Sequence, residues 1–98
     1  MLSNTALSER VRNEIISFAK LHNIEKLVLF GSRARGDYKA ESDIDLAIWG
    51  GDGAAFSIDV EEEIHTLLSF DIVDFKYHIK KELAESIAKE GIILYEKI

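Results

Sequence analysis

One stretch constrains this chain more than any other: LVLFGSRARGDYKAESDIDLAIW, from Leu27 to Trp49. An apolar run breaks off at Gly31-Ser32, a polar loop follows, and Asp43 and Asp45 then alternate with Ile44 and Leu46. Alternation marks a strand with one buried face, so Ile44, Leu46 and Ile48 are expected to enter a core while the two acids share the opposite face. Neighbouring carboxylates repel unless a cation lies between them. Oxygen ligands on a rigid strand suit Mg²⁺, which takes the rest of its shell from water and substrate phosphates. Just upstream, Val28, Leu29 and Phe30 read as a buried strand, and Gly31 lets main-chain N–H groups approach a phosphate with no side chain in the way. Ser32 adds a hydroxyl donor, and a helix starting there would add the positive end of its dipole. Arg33 and Arg35 are candidate phosphate contacts through charge-assisted hydrogen bonds, and Gly36 permits a second turn.

The order of strand, Gly-Ser, ten intervening residues and Asp-x-Asp on a second strand resembles the nucleotidyltransferase fold of the DNA polymerase beta superfamily. GSRARG followed by SDIDL is similar to its minimal nucleotidyltransferase branch, with Gly31, Ser32, Arg33, Arg35, Gly36, Ser42, Asp43 and Asp45 matching position by position. A Gly-Ser or an Asp-x-Asp alone occurs by chance in many chains; the two at this spacing, flanked by apolar runs, are specific. The resemblance implies a third carboxylate from a later strand. FDIVDF offers Asp71 and Asp74, and their odd separation puts them on opposite faces of a strand, so only one can join the site. In the family the acid that opens this run is the usual one, which favours Asp71 and leaves Asp74 in reserve. The resemblance further implies that Asp43, Asp45 and Asp71 hold two Mg²⁺ ions and that Gly31, Ser32, Arg33 and Arg35 hold the phosphates of ATP. AMP would then pass to a hydroxyl acceptor.

Ninety-eight residues make one small domain, taken here as 1–98, and the apolar and charged shares are those of an ordinary globular chain. No apolar run approaches the roughly 20 residues that span a bilayer. The N-terminal MLSNTALSERVRNEI mixes charges along an amphipathic pattern, unlike a signal peptide, and the sequence has no cysteine, so a cytoplasmic protein is expected. The net charge of −6, with no basic stripe beyond Arg33, Arg35 and Lys39, argues against long nucleic acid as substrate and fits a basic protein partner better.

Elsewhere the periodicity predicts a helix from Leu7 to His22 capped by Ser8, with Leu7, Val11 and Ile15 on its apolar stripe. His22 is expected to lie exposed at its end, where it favours the dipole. A second helix is predicted over Ala54–Ser69, after the glycine-rich turn at Gly50, Gly51 and Gly53, with Asp59, Glu61, Glu62 and Glu63 on its solvated face. A strand over Phe70–Phe75, a helix over Ile79–Glu90 stopped by Gly91, and a terminal strand over Ile92–Tyr95 complete the chain. Trp49 is expected to pack rather than stack on a base. The fold class is α/β (α+β), a small mixed sheet with helices packed on it, as in the polymerase beta-like nucleotidyltransferases.

Larger members of that superfamily carry a further domain that helps bind the acceptor. The resemblance covers nearly the whole of this chain, so it implies that another polypeptide supplies the missing surface. Minimal nucleotidyltransferases are typically encoded beside a helical HEPN protein, and in such toxin and antitoxin pairs they transfer AMP to a tyrosine of the HEPN ribonuclease. The expectation is a magnesium-dependent protein adenylyltransferase antitoxin in a hetero-oligomer. Two alternatives stand beside it: a subunit that neutralises its partner by contact alone, and a small-molecule nucleotidyltransferase.

Overall fold

A computed structural model describes residues 7–98 of the chain. The first six residues, part of the N-terminus read above as unlike a leader, lie outside the described residues. The first helix, α1 (Glu9–Leu21), starts where Ser8 stays extended and its Oγ accepts a hydrogen bond from the Val11 N–H at 3.1 Å. Glu9 sits in its first turn and Lys20 in its last, both matching the dipole. The helix ends as Asn23 takes a left-handed φ of 60°, one of the few non-glycine residues able to do so. Strand β1 (Lys26–Phe30) follows, then a single helical turn, α2 (Ser32–Arg35), then β2 (Ile44–Trp49), α3 (Gly53–Glu63), β3 (Phe70–Asp74), α4 (Lys81–Glu90) and β4 (Ile92–Glu96).

The strands form one mixed sheet in the order β3-β2-β1-β4. Strand β1 pairs antiparallel with both β2 and β4, whereas β2 and β3 run parallel and are joined through α3. A parallel pair needs such a crossover, because no hairpin can connect strands pointing the same way. On one face Leu27, Leu29, Ile44, Leu46 and Ile48 pack with Val11, Ile15 and Ala19 of α1 and Phe56 and Val60 of α3. On the other, Val28, Phe30 and Ala47 meet Ile87 of α4, with Trp49, Val73, Phe75 and Leu83 packed around them. The α/β architecture expected from the sequence is therefore present. Both faces are covered, but α4 covers only part of the second, and the start of β2 is left open there.

Several boundaries differ. Helix α3 stops at Glu63 instead of Ser69, and Ile64 turns to an extended φ of −87° and ψ of 119° while staying buried. Three successive glutamates at a helix C-terminus oppose the dipole, and Thr66 Oγ1 then accepts from the Leu68 N–H in the loop that carries the chain to β3. His22 is not exposed: it is mostly buried, and its Nε2 lies 2.5 Å from Oδ2 of Asp59, tying α1 to α3. Trp49 does pack, stacking on Phe75 with ring centroids 4.3 Å apart. Among the described residues no helix is long and apolar enough to cross a membrane.

Candidate active site

The Gly-Ser turn and the two acids meet because β1 and β2 are antiparallel: Phe30, the last residue of β1, lies opposite Asp45. Gly31 then turns with φ 76° and ψ −157°, a conformation open to glycine alone. Glycine is required there for a second reason, since a Cβ at this position would collide with Oδ2 of Asp45. The turn is thus seated directly against one of the candidate acids. Gly31 contributes its carbonyl to the helical turn that follows, accepting from the N–H groups of Ala34 and Arg35 at 3.1 and 3.0 Å, and Ser32 opens that turn.

The third acid is separated from its rival by the sheet. In the parallel β2–β3 pair Asp45 is in register with Asp71, and Ile48 with Asp74. Odd-numbered residues of both strands share a face, so Asp43, Asp45 and Asp71 lie together on the side α4 leaves open. Asp74 points the other way, against Gly53 at the start of α3, and its Oδ1 accepts from the Lys76 N–H at 2.9 Å. It also borders a cleft of about 540 Å³ between Gly53, Ile72, Tyr77 and Leu83, which contains none of the other three acids. Asp74 therefore stands apart from the group that Asp71 joins.

Asp45 is the half-buried member, between exposed Asp43 and Asp71. Burial first, then the charge of Asp71 and then that of Asp43, push its carboxyl above the ordinary carboxylate value, while Arg35 pulls it back. Arg35 accordingly lies within electrostatic reach of the acids. Its guanidinium is exposed and paired with Asp37 at 3.4 Å and Glu90 at 3.3 Å, contacts of the loose, solvated kind that a stronger anion can displace. Arg33 is placed quite differently. The sequence makes it a phosphate contact, but the side chain is buried, donating to the carbonyls of Ser42, Ala40 and Lys39 and stacking on Tyr38. Sequence reasoning missed that bracing role because nothing in GSRARG distinguishes an arginine that turns inward.

Among the described residues no three acidic or histidine side chains already close around a common point. The donor set nevertheless fits a hard divalent cation, being all oxygen and all carboxylate, with the charges of Asp71 and Asp43 adding to burial in raising Asp45. Asp43, Asp45 and Asp71 are the residues that would hold it.

A glycine turn packed on an Asp-x-Asp strand, in a small mixed sheet with a further acid on the adjoining strand, defines the class: this is a nucleotidyltransferase. Residues 13–98 match the family model described as Polymerase beta, Nucleotidyltransferase, and the chain belongs to that family. Its sequence is 36% identical over 81 residues to MJ0604 of Methanocaldococcus jannaschii, a candidate protein adenylyltransferase, covering 74% of this chain and 79% of that one. It is 36% identical over 92 residues to the protein adenylyltransferase MntA of Aphanizomenon flos-aquae, covering 80% of this chain but 61% of MntA. Among solved structures, a toxin–antitoxin crystal structure with AMP-PNP superposes with a TM-score of 0.69 at 22% identity, over 88% of this chain and 73% of that one, a likeness of fold.

Proposed function

We propose that this chain is a magnesium-dependent protein adenylyltransferase that moves AMP from ATP to a tyrosine hydroxyl of a HEPN-type toxin partner, and so acts as its antitoxin. The observation that carries the reading is the register of Asp45 beside Asp71 with the Gly31 turn against Asp45. The naming of two relatives as protein adenylyltransferases, one of them a candidate, supports a protein acceptor, and the toxin–antitoxin context of a structural neighbour is consistent with a toxin partner. A hetero-oligomer acting in the cytoplasm, where ATP is abundant, follows from that reading.

In this reading Asp43, Asp45 and Asp71 hold divalent cations, which when bound neutralise triphosphate charge and make the attacking hydroxyl more acidic. Gly31 leaves the room for phosphate oxygens to approach the main chain, Ser32 donates its hydroxyl to them, and Arg35 offers its guanidinium once released from Asp37 and Glu90. The acceptor oxygen bonds to the α-phosphorus as the bond from that phosphorus to the bridging oxygen of the β-phosphate breaks. Pyrophosphate leaves with the electron pair, and Asp71 takes the hydroxyl proton. Most of the rate gain is positioning and charge placement.

The test is incubation with ATP labelled in its adenylate portion, Mg²⁺ and the product of the neighbouring gene. Label on a tyrosine of the partner, lost in Asp43→Asn and Asp45→Asn, supports the proposal. A stable complex without label would make the chain a contact inhibitor, and label only on added small hydroxyl compounds would make it a small-molecule enzyme.

A further inference from the structure

We propose that Arg33 is a positioning residue that fixes Asp43 through the loop preceding it, and that it is not a phosphate ligand. The site to which Asp43 belongs is the one just proposed; the tether itself stands on geometry alone. Only 6% of Arg33 is exposed. Burying a guanidinium costs several kcal/mol of hydration unless its donors are satisfied. Here Nε donates to the Ser42 carbonyl at 3.1 Å, and Nη2 to those of Ala40 at 3.1 Å and Lys39 at 3.4 Å, while the guanidinium carbon lies 4.7 Å from the centre of the Tyr38 ring. The carbonyls belong to one small turn that is also closed on itself, with the Ser42 N–H donating to the Lys39 carbonyl and the Lys39 N–H to Ser42 Oγ.

The position of the tether matters. The Ser42 carbonyl belongs to the peptide unit that leads into Asp43, an exposed residue whose side chain is not held by packing. Asp43 therefore takes its place from the backbone on either side. After it, the Ile44 N–H donates to the Ser69 carbonyl at 2.9 Å and β2 begins. Before it, the loop has exposed Asp37, Lys39, Ala40 and Glu41, and Arg33 reaches up from the turn after Gly31 to hold it. One residue thus links the phosphate-side turn to the acid-side strand. Lysine is a poorer substitute, because its three donors share one nitrogen on a flexible stem, whereas Arg33 reaches these carbonyls from two nitrogens of a rigid plane.

Arg33→Lys and Arg33→Met test the assignment, the first keeping the charge and removing the fork. In protein free of nucleotide and metal, the amides of residues 39–43 in Arg33→Lys should exchange with solvent about tenfold faster or more, with α1 and α3 unchanged as the control for folding. Binding of ATP with Mg²⁺, measured by calorimetry, should weaken about tenfold or more in the same variant, the usual size of an effect transmitted through a ligand's support. Arg33→Met should do the same or worse, and should it fail to fold, Arg33→Lys alone decides. Wild-type loop exchange in Arg33→Lys would overturn the proposal whatever the ATP affinity, since the guanidinium fork would then not be what holds the loop. The exchange experiment needs no activity: a loosened loop in a chain that never transfers AMP keeps the tether and rejects the enzymatic reading, whereas an unchanged loop in an active enzyme rejects the tether alone.

Discussion

Gly31 is where backbone conformation and site chemistry coincide, and Gly31→Ala makes both visible. Its φ of 76° with ψ of −157° costs an L-residue about 1–3 kcal/mol, and the new methyl would also strike Asp45. The variant should lose about that much stability in a denaturant melt, and any folded fraction should transfer AMP poorly because Asp45 has been displaced. Asp45 itself should behave in the opposite way. Its carboxyl is raised above the unfolded-state value, so the folded form binds the proton more tightly and stability falls as pH rises through that interval. Above it the ionised group carries a constant penalty. Asp45→Asn removes the penalty, so in metal-free buffer it should melt higher than wild type at pH 7. At low pH, where carboxylates are protonated in both the folded and the unfolded chain, the difference should shrink. An equal gap at both pH values would mean that electrostatics is not its source. Both residues were legible in the sequence because a Gly-Ser break and an alternating pair of acids are local signals. Arg33 was not, since its burial is decided by a loop that returns over it.

At the scale of elements, the acid face could be read because Asp43 and Asp45 alternate with Ile44 and Leu46, although the rest of the strand, Ala47 and Ile48, is buried without alternation. The end of α3 could not. Its sequence lacks glycine, proline or asparagine after Glu63, so the apolar spacing runs on past the point where the chain must leave the helix to reach β3. Choosing between Asp71 and Asp74 needed the sheet as well. Parity separates the two, but only the parallel register with β2 decides which one stands beside Asp45. This division of faces makes a direct comparison informative. Asp71→Asn should cut transfer by about 100-fold or more, the scale on which a charge placed at the reacting atoms acts, while leaving the melt unchanged or improved. Asp74→Asn keeps an acceptor for the Lys76 N–H and should transfer at close to the wild-type rate. Single-turnover assays on both variants check this, and the reverse ranking would move the site to the α3 side of the sheet.

For the molecule as a whole, a net charge of −6 is spread over a small domain, and part of it is concentrated where Asp43, Asp45 and Asp71 share one open rim of the sheet. A sheet that gathers unneutralised acids carries a cost in folding that a bound cation would reverse. Whatever binds the native state and not the unfolded chain adds RT ln(1 + [L]/Kd), about 2.7 kcal/mol when the ligand stands at 100 times its dissociation constant. Mg²⁺ should therefore raise the melting temperature of the wild type in a saturable way. Simple screening would do something similar, so the titration belongs at fixed ionic strength with NaCl replaced by MgCl₂. Under those conditions Asp45→Asn, already relieved of its penalty, should begin higher and gain little from Mg²⁺. Chelation should return the wild type to its starting point and leave the variant where it was. A variant that responds to Mg²⁺ as strongly as wild type would place the cation elsewhere on this acidic surface.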